Sequence, residues 1–129
     1  MDEVEVYEID TRPDFDKSIA RLTKKKKFLS LPKQIRELRD KLKHGEFEGD
    51  KISHRDLPVP HDIYKVRLPN PDANVGKSDG YRVIYMVVLE TKIVVFLTMY
   101  YKKEEAAVSD KYVEGLIDGY FLNLLPEEN

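Results

Sequence analysis

The hydrophobic rhythm of the chain changes at residue 61. Before it, apolar positions recur at helical spacing: Phe15, Ile19 and Leu22 in one stretch, then Leu31, Ile35, Leu38 and Leu42 in the next. Thr11-Arg12-Pro13-Asp14 has the proline and acids of a helix start. Ser30-Leu31-Pro32 starts a second helix, and Gly45 stops it. After residue 61 the period is that of strands. Ile63 to Leu68 alternates, Gly80 leads into Tyr81-Arg82-Val83-Ile84-Tyr85, and Ile93 to Leu97 is a continuous apolar run. Glu90-Thr91-Lys92 has the length of a hairpin connection. Val4-Glu5-Val6-Tyr7-Glu8-Ile9 reads as a first strand. Ser109 to Leu122 reads as a last helix, with Val113, Leu116, Ile117 and Phe121 on its apolar side. Gly115 and Gly119 weaken that helix by about 1 kcal/mol each relative to alanine.

The predicted order is strand, helix, helix, strand, strand, strand, helix. The late strands, near residues 61–69, 80–89 and 92–101, form an antiparallel meander that completes one sheet. The helical hairpin near 13–44 covers one face, and strand 92–101, apolar on both sides, takes the centre. Residues 46–60 and 69–79 are polar and punctuated by proline or glycine, hence loops. The fold class is α+β, with residues 1–129 as a single domain.

Composition removes several function classes. There is no cysteine, so neither a disulfide framework nor a thiolate metal site is available. His44, His54 and His61 lack the spacing of a metal site, and neither metal nor cofactor is expected. No apolar run approaches the length of a membrane span, and Met1-Asp2-Glu3-Val4-Glu5 lacks an apolar signal core. The expectation is a cytoplasmic protein with no membrane partner. The net charge of -2 hides a segregation: both ends are acidic, while residues 17–55 and 61–103 are basic. The overall charge argues against a non-specific nucleic-acid binder, and the asymmetry leaves room for a local positive surface.

The candidate chemistry lies in the strands. On strand 62–68, Lys65 and Arg67 share a face with Ile63, while Tyr64, Val66 and Leu68 point the other way. Residues two apart on a strand stand roughly 7 Å from each other, about the spacing of neighbouring phosphates. Arg82 shares a face with Ile84 and Met86. If the two strands pair so that Arg82 sits near Lys65 and Arg67, three cations converge. Cations on an apolar sheet are costly to desolvate unless an anion meets them. The competing reading is that they blunt a sheet edge. Gly76-Lys77-Ser78 resembles the tail of a phosphate-binding loop, but Pro71 stands where that motif needs glycine and a strand follows instead of a helix. Lys77 is therefore read only as a loop cation within reach of a phosphate. His61 opens the cationic strand; a solvated loop histidine is the first reading and a proton-transfer group the second. Lys24 to Lys27 read first as a solvated helix end.

Lys65-Val66-Arg67-Leu68, Gly80-Tyr81-Arg82-Val83-Ile84-Tyr85 and Tyr101-Lys102-Lys103-Glu104 together resemble the RelE/ParE superfamily of toxin–antitoxin toxins, nearest its RelE and HigB branches. The resemblance covers about residues 61–122; the preceding strand and helices agree in order. It implies the fold described above. It also implies a metal-independent endoribonuclease that cuts mRNA at the ribosome in the RelE manner, inhibits translation and is neutralised by a cognate antitoxin protein. By that resemblance Lys65, Arg67, Arg82 and Tyr112 are the catalytic candidates, and Lys102 and Lys103 stand at a basic RNA-binding position; Lys77 and His61, from their own places in the chain, complete the RNA-binding candidates. Two alternatives stay open on the same fold: a ParE-like toxin directed at DNA gyrase, and a non-catalytic RNA- or protein-binding module.

Overall fold

In chain order the elements are β1 Glu8–Thr11, α1 Pro13–Ala20 continued by a π-helical turn Arg21–Lys25, α2 Leu31–Lys43, β2 Asp50–Ile52, β3 His61–Leu68, a 3₁₀ turn Pro71–Ala73, β4 Tyr81–Val88, β5 Ile93–Tyr101 and α3 Asp110–Asn123. They are seen in a computed structural model that describes residues 6–52, 60–105 and 107–123. The strands form one five-stranded sheet in the order β1-β5-β4-β3-β2. β1 runs parallel to β5, and every other pair is antiparallel.

Strand alternation divides the sheet into two apolar faces. Val66, Tyr81, Val83, Tyr85, Phe96 and Met99 face the helical hairpin, where Phe15, Leu22, Leu31, Ile35, Leu38 and Leu42 meet them. The stripe of α2 is the one its sequence spells. Gly45 follows α2 with φ 83, a backbone that favours glycine. The opposite face carries Ile63, Ile84, Met86, Val95, Leu97 and Tyr100, covered by Val113, Ile117 and Tyr120 of α3. α3 begins where Ser109 Oγ accepts the Tyr112 N–H at 3.1 Å, an N-cap that satisfies one orphan donor. Gly115 has open space where a Cβ would stand, whereas a Cβ on Gly119 would meet the Arg12 guanidinium at 3.1 Å.

Three expectations need correction. The centre of the sheet is β4, buried at all of its positions, with β5 beside it; both strands are two-sided, which sequence alone cannot rank. The first strand is Glu8–Thr11 rather than 4–9. Tyr7 N–H already leaves the ladder for Lys43 C=O at 2.7 Å, and residues 4 and 5 lie outside the described ones. Within the stretch 46–60 read as loop, Asp50–Ile52 adds a strand to β3. Its side chains, Asp-Lys-Ile, give no period to detect, and backbone pairing rather than burial makes it a strand.

Candidate nucleic-acid interface

The register of β3 and β4 places Arg67 directly opposite Arg82 and Lys65 opposite Ile84. β5 extends both rows: Tyr100 stands opposite Arg82, and Thr98 opposite Ile84. Lys65, Arg67 and Arg82 thus share the face that carries α3, with Lys65 and Arg67 on β3 and α3 packed against residues of β4 and β5.

The three cations differ in what surrounds them. Arg82 is 4% exposed. Its Nη1 donates to Lys77 C=O at 2.8 Å and to Tyr81 C=O at 3.1 Å, and its Nη2 donates to Ser78 C=O at 2.8 Å. The guanidinium is spent on holding the loop before β4. Tyr100 is buried beside it; desolvation pushes its hydroxyl pKa up, and the Arg82 charge offsets part of that. Lys65 is half-buried and Arg67 exposed. Neither makes an ion pair or a side-chain hydrogen bond with another described residue. Two unneutralised cations roughly 7 Å apart repel each other and attract an anion between them.

The loop that Arg82 holds brings further cations to the same end of the sheet. Lys102 N–H donates to Gly80 C=O at 2.9 Å, so the β5 exit and the β4 entry are clamped together, and Lys77, Lys102 and Lys103 are exposed there. Gly80 is required at this junction, because a Cβ would stand 2.0 Å from Leu68 C=O. Glu104 does not cancel these lysines. Its carboxylate accepts from Arg21 Nη1 at 3.1 Å and pairs with Lys26 Nζ at 3.5 Å. The Arg21 hydrogen bond chiefly holds its pKa below the usual carboxylate range.

Two candidates lie elsewhere. His61 stands at the opposite end of β3, roughly 20 Å from Arg67. It is not a solvated loop histidine: it is a strand residue, 7% exposed, whose ring faces Phe121 beneath the end of α3. Its position in an alternating strand on the Ile63 face was the signal for burial. Tyr112 is 44% exposed, and its hydroxyl donates to Asp14, which also accepts from Thr98. Thr98 is two strands from Lys65, about 10 Å. Sequence reasoning saw Asp14 only as a helix-start acid; nothing local in the chain signals its meeting with Tyr112.

A search of solved structures finds one of the E. coli toxin RelE, in the free state and carrying two arginine-to-alanine substitutions. The TM-score is 0.50 at 18% identity, covering 93% of this chain and 99% of that one. The fold is RelE-like. Neither a family model nor a curated protein sequence matches the chain. Within the RelE-like frame the first strand, the helical hairpin, the three antiparallel strands and α3 follow one another in the order anticipated from the sequence. Among the described residues no group of three or more metal-ligating side chains occurs, and no helix is long and apolar enough to cross a membrane.

Proposed function

We propose that this protein is a toxin of the RelE type, on the RelE/HigB-like side of that fold: a metal-independent mRNA endoribonuclease that works with the ribosome and is silenced by an antitoxin protein. The observation that carries the reading is the pair Lys65 and Arg67, both without a described partner, on one face of β3 beside the buried Arg82. RNA carries its own nucleophile, the 2′-hydroxyl. Cleavage then needs a proton acceptor near that hydroxyl, cations around the pentavalent phosphorane and a proton donor at the leaving 5′-oxygen. Arg67 has the planar fork to grip two phosphate oxygens. Lys65, one strand step away on the same face, is the proton carrier. Arg82 has little left to donate directly; it fixes the loop that presents Lys77 and adds its field from beneath. Lys77, Lys102 and Lys103 hold the flanking backbone. Tyr112 and His61 stand outside this phosphate set, Tyr112 tethered to Asp14 and His61 at the far end of the strand.

The antitoxin would lie over the uncovered part of the Lys65–Arg67 face or take the place of α3, which Gly115 and Gly119 weaken. The test is induction of the parent, Lys65→Ala and Arg67→Ala, reading growth and mRNA cleavage. The reading expects the parent to arrest growth and cut mRNA, and each variant to lose about a hundredfold or more of cleavage. Undiminished cleavage in both variants refutes the site. Growth arrest with intact mRNA and blocked DNA supercoiling would assign the gyrase function instead.

A further inference from the structure

The strand that lay hidden in the stretch 46–60 carries an acid to the cationic face. β2 pairs antiparallel with β3 so that Asp50 stands directly opposite Lys65, Lys51 opposite Tyr64 and Ile52 opposite Ile63. Residues opposed in this way share a face, with Cβ atoms about 5 Å apart. The neighbours confirm which face. Lys51 Nζ lies over the Tyr64 ring at 5.8 Å and pairs with Asp62 at 3.5 Å, on the hairpin side. Ile52 packs with Ile63 in the cluster under α3. Asp50 therefore joins Lys65 and Arg67 on the α3 side of the sheet. It is exposed, and it makes no ion pair or side-chain hydrogen bond with another described residue.

The approach of Asp50 is fixed by the turn that precedes it. Gly49 has φ 99, a backbone that favours glycine, and a Cβ there would stand 2.5 Å from Lys65 C=O and 2.9 Å from Val66 Cα. β2 thus lies hard against the main chain of β3 at Lys65. Glu48 anchors the other side of Gly49: its C=O accepts from the Tyr85 hydroxyl, and its carboxylate from Lys41 Nζ at 2.9 Å. A carboxylate carried on a strand paired and anchored in this way keeps its place beside Lys65.

We propose that Asp50 is the proton acceptor of the cleavage reaction, taking the 2′-hydroxyl proton of the RNA while Lys65 gives a proton to the departing 5′-oxygen. The inference rests on the nuclease reading above and divides its two proton roles. The division follows from what each group can do: an ionised carboxylate only accepts, and an ammonium only donates. As the 2′-oxygen bonds to phosphorus, its proton passes to Asp50; as the P–O5′ bond breaks, a Lys65 proton passes to the 5′-oxygen. The products are a 2′,3′-cyclic phosphate and a 5′-hydroxyl. Asp50 is left protonated and Lys65 as the free amine, and return of one proton between these neighbours restores both. A carboxylate this near a phosphate repels it, so Asp50 serves the transition state at the expense of ground-state binding.

The test uses a short mRNA programmed on ribosomes and cut by the parent at a mapped linkage. Asp50→Asn should cleave it about a hundredfold more slowly or worse. The same variant should bind the mRNA blocked by a 2′-deoxy residue at that linkage as tightly as the parent or more so, and its thermal melt should not move. A second mRNA, with a bridging 5′-sulfur at the linkage, needs no proton donor at the leaving atom. It should restore most of the cleavage lost in Lys65→Ala and leave Asp50→Asn slow. Equal cleavage of the ordinary mRNA by Asp50→Asn and the parent overturns the proposal while leaving the nuclease reading intact. So does rescue of Asp50→Asn by the 5′-sulfur, or a loss of binding that accounts for its slower cleavage. A parent that cuts no RNA overturns both.

Discussion

Arg67 and Arg82 face each other across β3 and β4, yet one is exposed without a partner among the described residues and the other is buried on three carbonyl oxygens. Equal in charge and adjacent in space, they separate into two roles. Arg82→Ala should leave the carbonyls of Lys77, Ser78 and Tyr81 without their charged donor and cost about 3 kcal/mol of stability. A thermal melt should show a fall of roughly 10 °C. Arg67→Ala should stay within about 0.5 kcal/mol of the parent while cleavage collapses. Arg82→Lys should not rescue stability, because a lysine cannot reproduce the planar fork.

Gly80 and Gly115 should respond in opposite directions to alanine. At Gly80 the new Cβ stands 2.0 Å from Leu68 C=O, so the β4 entry must move and take the Arg82 loop with it. A loss of about 3 kcal/mol, with reduced RNA binding through Lys77, is expected from chemical denaturation and filter binding. At Gly115 nothing stands within 4 Å, and alanine should stabilise α3 by up to about 1 kcal/mol. If antitoxin binding requires α3 to leave, Gly115→Ala should also weaken the complex.

Acid should loosen the junction of the π-helical turn with the β5 exit. The Glu104 pKa is depressed in the folded chain, chiefly by Arg21. A carboxyl depressed on folding stabilises above its unfolded pKa, and that stabilisation is lost as pH falls through the folded value. Between neutral pH and about 5 the contribution should be constant, then vanish on further acidification. The groups are partly exposed, so about 0.5 kcal/mol is expected. Glu104→Gln should flatten that part of the stability–pH curve without changing it elsewhere.

Alkali should act through the core. Tyr81 and Tyr85 are fully buried, and desolvation pushes both hydroxyls well above the ordinary phenol range. Tyr85 also donates to Glu48 C=O. A folded pKa raised above the unfolded one stabilises fully below the unfolded value, about 10, and the stabilisation is lost progressively as pH rises beyond it. Ultraviolet titration should show these phenols ionising only together with unfolding. Tyr85→Phe should remove part of the alkaline loss.

The helices and late strands were legible because their periods are clean, as in Leu31, Ile35, Leu38 and Leu42 on α2 or the alternation through Lys65 and Arg67 on β3. The shared face of those cations followed from alternation alone. Their register with Arg82 did not, since the pairing of β3 with β4 is set by the long connection between them as much as by pattern. Nor was the inequality of the arginines legible: Arg82 reads as a free cation until the carbonyls of Lys77 and Ser78 are seen around it. β2 stayed hidden because a three-residue edge strand is held by its neighbour's backbone. Asp14 and Tyr112 meet only because α1 and α3 converge on β5, a relation no local window contains.

The parallel pairing of β1 with β5 has a bearing on how the protein comes into being. Glu8 must find Ile93, and Thr11 must find Phe96, across most of the chain's length. During synthesis the first strand therefore leaves the ribosome long before its partner exists, and α1, which packs on β5, waits with it. The β3–β4–β5 meander can assemble from neighbours, but the outer edge of β5 stays uncovered until the earliest residues return to it. β1 and α1 thus have no sheet to join until β5 is made, and until they return to it the outer edge of β5 is open to any other segment with unpaired main-chain groups.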